Sequence, residues 1–163
     1  MEKSNPTAYL RRVIASEYHD GAMAGIGERA TDGAIVWFRV VAWDDEQWVR
    51  LFAVATIDPL LEARLVQNLE KFELRKMPFW LPGSETDTPD VKRAWVDIEN
   101  AALRSDRWTL VEAHDVDEDS TEHPVEPADI FALLEVIRAA SVLELRGPLL
   151  MDRFLEHARS RTK

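Results

Sequence analysis

Residues 34–57 read AIVWFRVVAWDDEQWVRLFAVATI, and this stretch decides which kind of fold the chain adopts. Its two halves are rich in β-branched and aromatic residues, a composition typical of β-strands. The polar letters DDEQ between the halves are typical of a turn, so the stretch predicts an antiparallel hairpin. We expect a two-residue turn at Asp45 and Glu46. In that register Trp43 lies opposite Trp48.

The predicted hairpin has two chemically different faces, because successive residues of a strand point to opposite sides of a sheet. One face is wholly apolar and predicts a core that helices cover. It comprises Val36, Phe38, Val40, Ala42, Val49, Leu51, Ala53 and Ala55. The other face mixes aromatic and cationic side chains, and it comprises Trp37, Arg39, Val41, Trp43, Trp48, Arg50 and Phe52.

Two interpretations of this mixed face stay open. Helices cover it too, in which case its arginines pair with carboxylates, for example Arg39 with Glu28. Alternatively it is an exposed recognition surface, since tryptophan and arginine are enriched in such surfaces.

Just before the hairpin, residues 25–30 read GIGERA and match the dinucleotide-binding pattern G-x-G-x-x-[GA]. A phosphate-binding loop of this kind follows a strand and begins a helix. Here a strong strand follows instead, and Asp32-Gly33 is a hairpin-turn signal. The residues from Ala22 to Ala30 are therefore interpreted as a strand and not as a phosphate site.

With this strand, residues 22–57 form a predicted three-stranded antiparallel meander. A two-residue turn at Asp32-Gly33 sets Gly27 opposite Phe38 and Gly25 opposite Val40. Glycine at these positions leaves room for a large side chain to lie across the neighbouring strand.

Amphipathic segments that begin at a proline or a capping residue predict about five helices around the meander. They cover residues 5–19, 58–72 and 88–104, the segment from Pro127 to Arg146, and a last segment beginning at Pro148. The helix from Pro127 to Arg146 is apolar around most of its circumference, which predicts the central helix of the fold or a homodimer contact. A further short strand is predicted from Trp108 to Val116.

The order of these elements predicts a single globular α+β domain over residues 1–163. Its expected architecture is an antiparallel meander of three to four strands packed with about five helices.

Composition excludes several classes of protein and site. The chain has no cysteine, which excludes disulfides, thiolate metal sites and cysteine nucleophiles. Thirty acidic and twenty basic residues give a formal charge of −10 at pH 7, which repels nucleic acid and favours a cationic partner. No apolar run approaches the roughly 20 residues of a membrane-spanning helix. We expect a cytoplasmic protein that binds neither nucleic acid nor membrane.

The densest charge cluster, residues 114–126, reads HDVDEDSTEHPVE. Its carboxylates at Asp115, Asp117, Asp119 and Glu126 have the spacing of a helix–loop–helix calcium site. However, Ser120 stands where that loop requires glycine, and a strand leads in instead of a helix. We predict a solvated acidic loop without high-affinity calcium binding. A mixed zinc or manganese site of His114 and His123 with Asp115 or Asp117 has no supporting histidine spacing.

The letters EYHDG, the strand pair around AWDDEQWVRLF and the DPL that follows resemble a group of small uncharacterised bacterial proteins with a D-G…W-D-D…R-L-F layout. The resemblance covers roughly the first seventy residues. It implies a bacterial origin and no catalytic role.

No nucleophile elbow, Walker loop or kinase signature occurs in the sequence. We therefore expect a non-catalytic acidic interaction protein without a cofactor, acting as an inhibitor, an immunity-type protein or an assembly partner. Its expected binding surface is Trp37, Arg39, Trp43, Trp48, Arg50 and Phe52. The alternative is a small-molecule or divalent-metal protein with a site between this face and the acidic loop.

Overall fold

A computed structural model describes residues 8–18, 21–58, 89–116, 118–139 and 151–162 of the chain. These residues form six strands: β1 Leu10–Tyr18, β2 Ala22–Arg29, β3 Ile35–Asp44, β4 Val49–Thr56, β5 Trp108–Ala113 and β6 Ser120–Pro124. They also form three helices: α1 Pro89–Ala102, α2 Pro127–Ala139 and α3 Met151–Arg161. The strands make one sheet in chain order, and all neighbours are antiparallel. None of these helices has the length and apolar character needed to cross a membrane.

The predicted architecture of three to four strands packed with about five helices is wrong. The described residues form a six-stranded sheet with three helices. Part of the helix predicted over residues 5–19 is instead strand β1, and β6 was not predicted at all. The helix predicted over residues 58–72 lies outside the described residues, apart from Asp58.

Strand β1 resembles a helix in sequence because bulges interrupt its pairing with β2. The pairing shifts three times between Arg11 and Tyr18. A bulge adds one residue to a strand and so changes which side chains share a face. As a result, Leu10 and Val13 lie in one hydrophobic cluster while Ile14 lies in the other. Apolar residues three and four apart, the usual mark of a helix, arise here from an irregular strand.

Both faces of the sheet are buried, each in its own hydrophobic cluster. The outer cluster joins strand residues such as Trp37 and Leu110 to helix residues such as Leu133 and Phe154, so the helices cover this outer face. The inner cluster contains strand and turn residues and no residue of the three described helices. Its largest members include Leu10, Val36, Phe38, Val40, Phe52 and Val54.

The inner face is enclosed because the sheet curls into a half-barrel. The backbone N–H of Leu10 donates to the carbonyl oxygen of Val116 (3.3 Å), so the first strand reaches the far side of the sheet. Ala8 forms an antiparallel bridge with Asp119, just before β6. These contacts join the first edge of the sheet to the hairpin that forms its last edge.

A bidentate ion pair fixes the corner between α2 and α3 above the outer face. Nε and Nη2 of Arg159 donate to the two carboxylate oxygens of Asp129, both at 2.8 Å. These hydrogen bonds hold the pKa of the Asp129 carboxyl below its ordinary value. Asp129 also lies in the first turn of α2, where a negative charge favours the helix dipole.

The GIGERA residues belong to β2 and the start of the following turn, so the predicted strand is confirmed. The predicted register is two residues off, since Gly25 lies opposite Phe38 and Gly27 opposite Val36. The cause is a turn longer than two residues, in which Asp32 accepts a hydrogen bond from the backbone of Ala34 (3.1 Å).

The space at Gly25 accommodates the backbone of β1, not a cross-strand side chain. A Cβ atom at Gly25 would overlap the carbonyl oxygen of Ile14 and lie 2.8 Å from Cα of Ala15. At Gly27 the nearest atom is Cδ1 of Leu10, at 3.0 Å, the end of a flexible side chain. Gly25 therefore allows β1 to pack directly against β2.

We predict that Gly25→Ala lowers the free energy of unfolding by about 3 kcal/mol or more, because backbone atoms must move to admit the methyl group. Gly27→Ala is the matched control and should cost about 1 kcal/mol, because the Leu10 side chain can adjust. Urea denaturation of both variants measures the difference. Equal losses would show that the approach of β1 to Gly25 does not constrain the fold.

Candidate functional site

The structure separates the residues predicted to form one binding surface into three environments. Trp37, 3% exposed, and Arg39 lie on the outer face beneath helix residues. Phe52 lies in the inner cluster, and Arg50 projects from the same side of β4. Trp48 is exposed, in the turn between β3 and β4.

An error in the predicted register explains this separation. Trp43 pairs with Arg50 and not with Trp48. The turn contains four residues, 45–48, and this shifts the pairing by two residues. A bulge after Val40 reverses one of these shifts, so the net slip beyond the bulge is one residue. A slip of one residue moves every side chain of a strand to the other face. The aromatic and cationic residues of β4 therefore leave the face that β3 presents to the helices.

Arg39 links the sheet to α2. Its Nη1 atom donates to the carbonyl oxygen of Ile137 (2.7 Å) and lies 4.0 Å from a carboxylate oxygen of Glu99. A hydrogen bond with a charged donor is stronger than one between neutral groups, so this contact holds α2 against β3. Glu28, the partner expected for Arg39, instead accepts hydrogen bonds from Arg11.

We predict that Arg39→Ala lowers the free energy of unfolding by about 1.5–3 kcal/mol, the range for a hydrogen bond from a charged group. Arg138→Ala is the control, because Arg138 is exposed and its ion pair with Glu135 is long, at 3.8 Å, and therefore weak. It should change stability by no more than about 0.5 kcal/mol. Thermal and urea denaturation test both. A near-wild-type Arg39→Ala would mean that this arginine is not a structural link.

Arg50 meets the acidic segment at one end of the inner face. Its guanidinium and the carboxylate of Asp115 both border the backbone of Gly21, so closely that a side chain there would overlap Arg50. Arg50 is 5% exposed, and a charge in such a place needs compensating groups. We interpret Arg50 and Asp115 as structural residues that hold Gly21, just before β2, against the sheet.

The carboxylates with calcium-site spacing are Asp115, Asp117, Asp119 and Glu126, and Asp117 lies outside the described residues. Strand β6, Ser120–Pro124, lies between Asp119 and Glu126 and places them at its opposite ends. Within the described ranges, no three histidine or carboxylate side chains are placed to hold a metal ion.

The two histidines of the acidic segment contact different groups. Nε2 of His123 lies 3.0 Å from a carboxylate oxygen of Glu112 on the neighbouring strand. Nδ1 of His114 lies 2.7 Å from the carbonyl oxygen of Trp48. A carbonyl only accepts hydrogen bonds, so this ring nitrogen carries the proton. His114 thus contacts the turn between β3 and β4 and not a metal ligand set.

That turn, together with Asp44 before it, is called here the β3–β4 tip and comprises Asp44, Asp45, Glu46, Gln47 and Trp48. Asp44 is buried, and its carboxylate accepts hydrogen bonds from the backbone N–H groups of Glu46 (2.9 Å) and Gln47 (3.2 Å). Trp48 is 63% exposed. The tip is thus an ordered turn that presents an indole to solvent.

Trp48 also has an unfavourable backbone conformation. Its φ is 56°, and no other residue except glycine has a positive φ in the described part of the chain. The left-handed conformation costs an L-residue about 1–2 kcal/mol. An exposed indole gives back little hydrophobic stabilisation. Folding alone therefore does not account for tryptophan at this position, and such outliers cluster at functional sites.

We predict that Trp48→Gly has a free energy of unfolding about 1 kcal/mol higher than Trp48→Ala. Both variants lack the indole, and only glycine adopts this φ without strain. The opposite order is expected at the exposed Val96 in α1, where Val96→Gly should be about 1 kcal/mol less stable than Val96→Ala. Urea denaturation of the four variants tests this. Equal stabilities at position 48 would contradict the strained conformation.

Of the helix predicted from Pro127 to Arg146, the structure describes the part that forms α2, Pro127–Ala139. Its apolar residues, including Leu133 and Val136, pack into the outer cluster. Phe131 is 62% exposed. The described part thus serves the fold of its own chain, and the homodimer contact stays a prediction.

A cavity of about 480 Å³ lies beyond the end of β4. It is lined by Thr56, Ile57, Asp58, Ala101 and residues 104–107. Because Thr56 and the tip are at opposite ends of β4, this cavity lies far from Trp48. It is also not between the mixed sheet face and the acidic segment, where a small-molecule site was the alternative expectation.

No protein-family model, curated protein or solved structure matches this chain. The candidate site is therefore defined by its geometry: an exposed tryptophan, a left-handed backbone held by Asp44 and His114, and neighbouring carboxylates.

Proposed function

We propose that this chain is a non-catalytic interaction protein that binds another protein through the β3–β4 tip. The observation that carries the proposal is the exposure of Trp48 in an ordered, strained turn. Tryptophan is among the residues most enriched at energetic hot spots of protein interfaces. Its large rigid ring provides contact area while losing few rotamers on binding.

The fixed backbone of the tip also favours this role. Asp44 accepts backbone hydrogen bonds at the start of the turn. His114, just after the neighbouring strand β5, is hydrogen-bonded to the carbonyl group of Trp48. A contact residue that is already held in place loses less conformational entropy when a partner binds. The tip therefore has the preorganisation expected of a recognition element.

The charge of the chain narrows the class of partner. A formal charge of −10 disfavours nucleic acid and favours a protein with a basic surface. We propose an inhibitor, immunity-type or assembly role in the cytoplasm, the compartment that a cysteine-free sequence fits. Of the six residues first expected to form the binding surface, the proposal retains Trp48 as the contact residue.

The proposal predicts that binding depends on Trp48 and not on other exposed apolar residues. A protein captured from the native host by the tagged chain is purified, and its affinity is measured by calorimetry. Trp48→Ala should weaken binding by at least about 30-fold, the size of a hot-spot effect. Phe131→Ala, which removes an equally exposed ring from α2, is the control and should bind like wild type.

The result that would contradict the proposal is full binding by Trp48→Ala. Loss of binding by Phe131→Ala alone would move the interface to α2. It would favour the helix surface, including the predicted homodimer contact, over the tip.

A further inference from the structure

We propose that the β3–β4 tip recognises an arginine side chain of its partner, with the guanidinium group stacked on the indole of Trp48. This inference rests on the proposed function and adds the chemistry of the group that binds. It is based on the acidic residues near the exposed ring of Trp48.

Two exposed carboxylates precede the indole in the sequence of the tip. Asp45 and Glu46 directly precede Gln47 and Trp48, and both are exposed. The carboxylate of Asp44 accepts hydrogen bonds from backbone N–H groups, and the exposed carboxylate of Glu46 adds negative charge two residues before the ring. The face of an indole attracts cations, and adjacent carboxylates strengthen that attraction.

The sheet topology places more acidic residues at the same end. In an antiparallel sheet in chain order, the turns after β1, β3 and β5 lie at one end. The turn after β5 contributes Asp115, Glu118 and Asp119, and the last two are exposed. His114 at this end is hydrogen-bonded to Trp48. The buried guanidinium of Arg50 opposes the field only in part. A cationic group is therefore attracted to this end, and an anionic ligand is repelled.

Arginine fits the tip better than lysine. Its guanidinium is planar, stacks on aromatic faces and is less strongly hydrated than an ammonium group. Its remaining N–H groups point outward in the plane of the stack, where carboxylates such as that of Glu46 accept them. The tip supplies both the stacking surface and the acceptors.

The test uses the full chain and three synthetic peptides of alternating glycine with arginine, lysine or citrulline. Citrulline has the shape of arginine without its charge. Binding is followed by NMR through the indole N–H signals of the tryptophans. The arginine peptide should shift the signal of Trp48 and leave that of the buried Trp37 in place. The lysine peptide should bind several-fold more weakly, and the citrulline peptide should not bind measurably.

Variants separate the ring from its charges. Trp48→Ala should abolish peptide binding, and Trp48→Phe should retain part of it, since phenylalanine is the weaker cation–π partner. Glu46→Gln should lower the affinity by about twofold to fivefold, as for a single exposed charge pair. Glu126→Gln removes an exposed carboxylate after β6, at the opposite end of the sheet, and is the control for non-specific attraction to an acidic protein; it should bind like wild type.

The outcomes distinguish this inference from the proposed function. Citrulline binding equal to arginine binding, or arginine binding that survives Trp48→Ala, overturns the arginine site. So does a captured partner that requires Trp48 but is not displaced by the arginine peptide, and in that case the tip remains an interface of another chemistry. A captured partner that binds Trp48→Ala normally overturns the proposed function itself.

Discussion

The close approach of β1 to the backbone of Gly25 is the contact on which the rest of the structure depends. Only a residue without a side chain allows the carbonyl group of Ile14 to lie where it does. The bulges of β1 bend the strand at the same place and bring Leu10 to Val116 across the sheet. The curled sheet then encloses its inner cluster with its own strands, and the helices are left to cover the outer face.

Because the sheet is buried on both faces, most side chains of its central strands pack in one of the two clusters. On the outer face Trp37 packs edge-on against Trp108, with ring centroids 6.0 Å apart. On the inner face Phe38 packs edge-on against Phe52, with ring centroids 5.9 Å apart. Trp37 and Phe52, which look like part of a recognition surface in sequence, are thus core residues. The exposed indole of the tip lies in a turn, outside both packed faces of the sheet.

The sequence predicted β3, β4 and β5 because they carry runs of β-branched and aromatic residues. It predicted β2, which has no such run, from the hairpin-turn signal Asp32-Gly33 that follows it. It did not predict β1, whose bulges give its apolar residues a helical spacing. It also did not predict β6, since Ser120–Pro124 is a polar edge strand of the kind that charged residues and proline protect from aggregation. Both hairpin registers were wrong because the turns are longer than two residues, a length that the letters D-G and D-E do not specify. Trp48 was singled out by residue type, and the structure places it on the surface. Its left-handed backbone and its contact with His114 depend on tertiary structure and have no signal in the sequence.

The strain at Trp48 persists because the sheet on either side determines the turn. Asp44 pairs with Val49 at the base of the tip, and Arg50 pairs with Ala113 of β5, one residue before His114. The hydrogen bond from His114 to the carbonyl of Trp48 therefore starts from a strand already fixed by its neighbours. A cost of about 1–2 kcal/mol for the left-handed residue is small against the roughly 5–15 kcal/mol that stabilises a domain. The rigidity of the half-barrel thus sustains a backbone conformation that a free loop would abandon, and in the proposed function this conformation sets the direction in which the indole faces the partner.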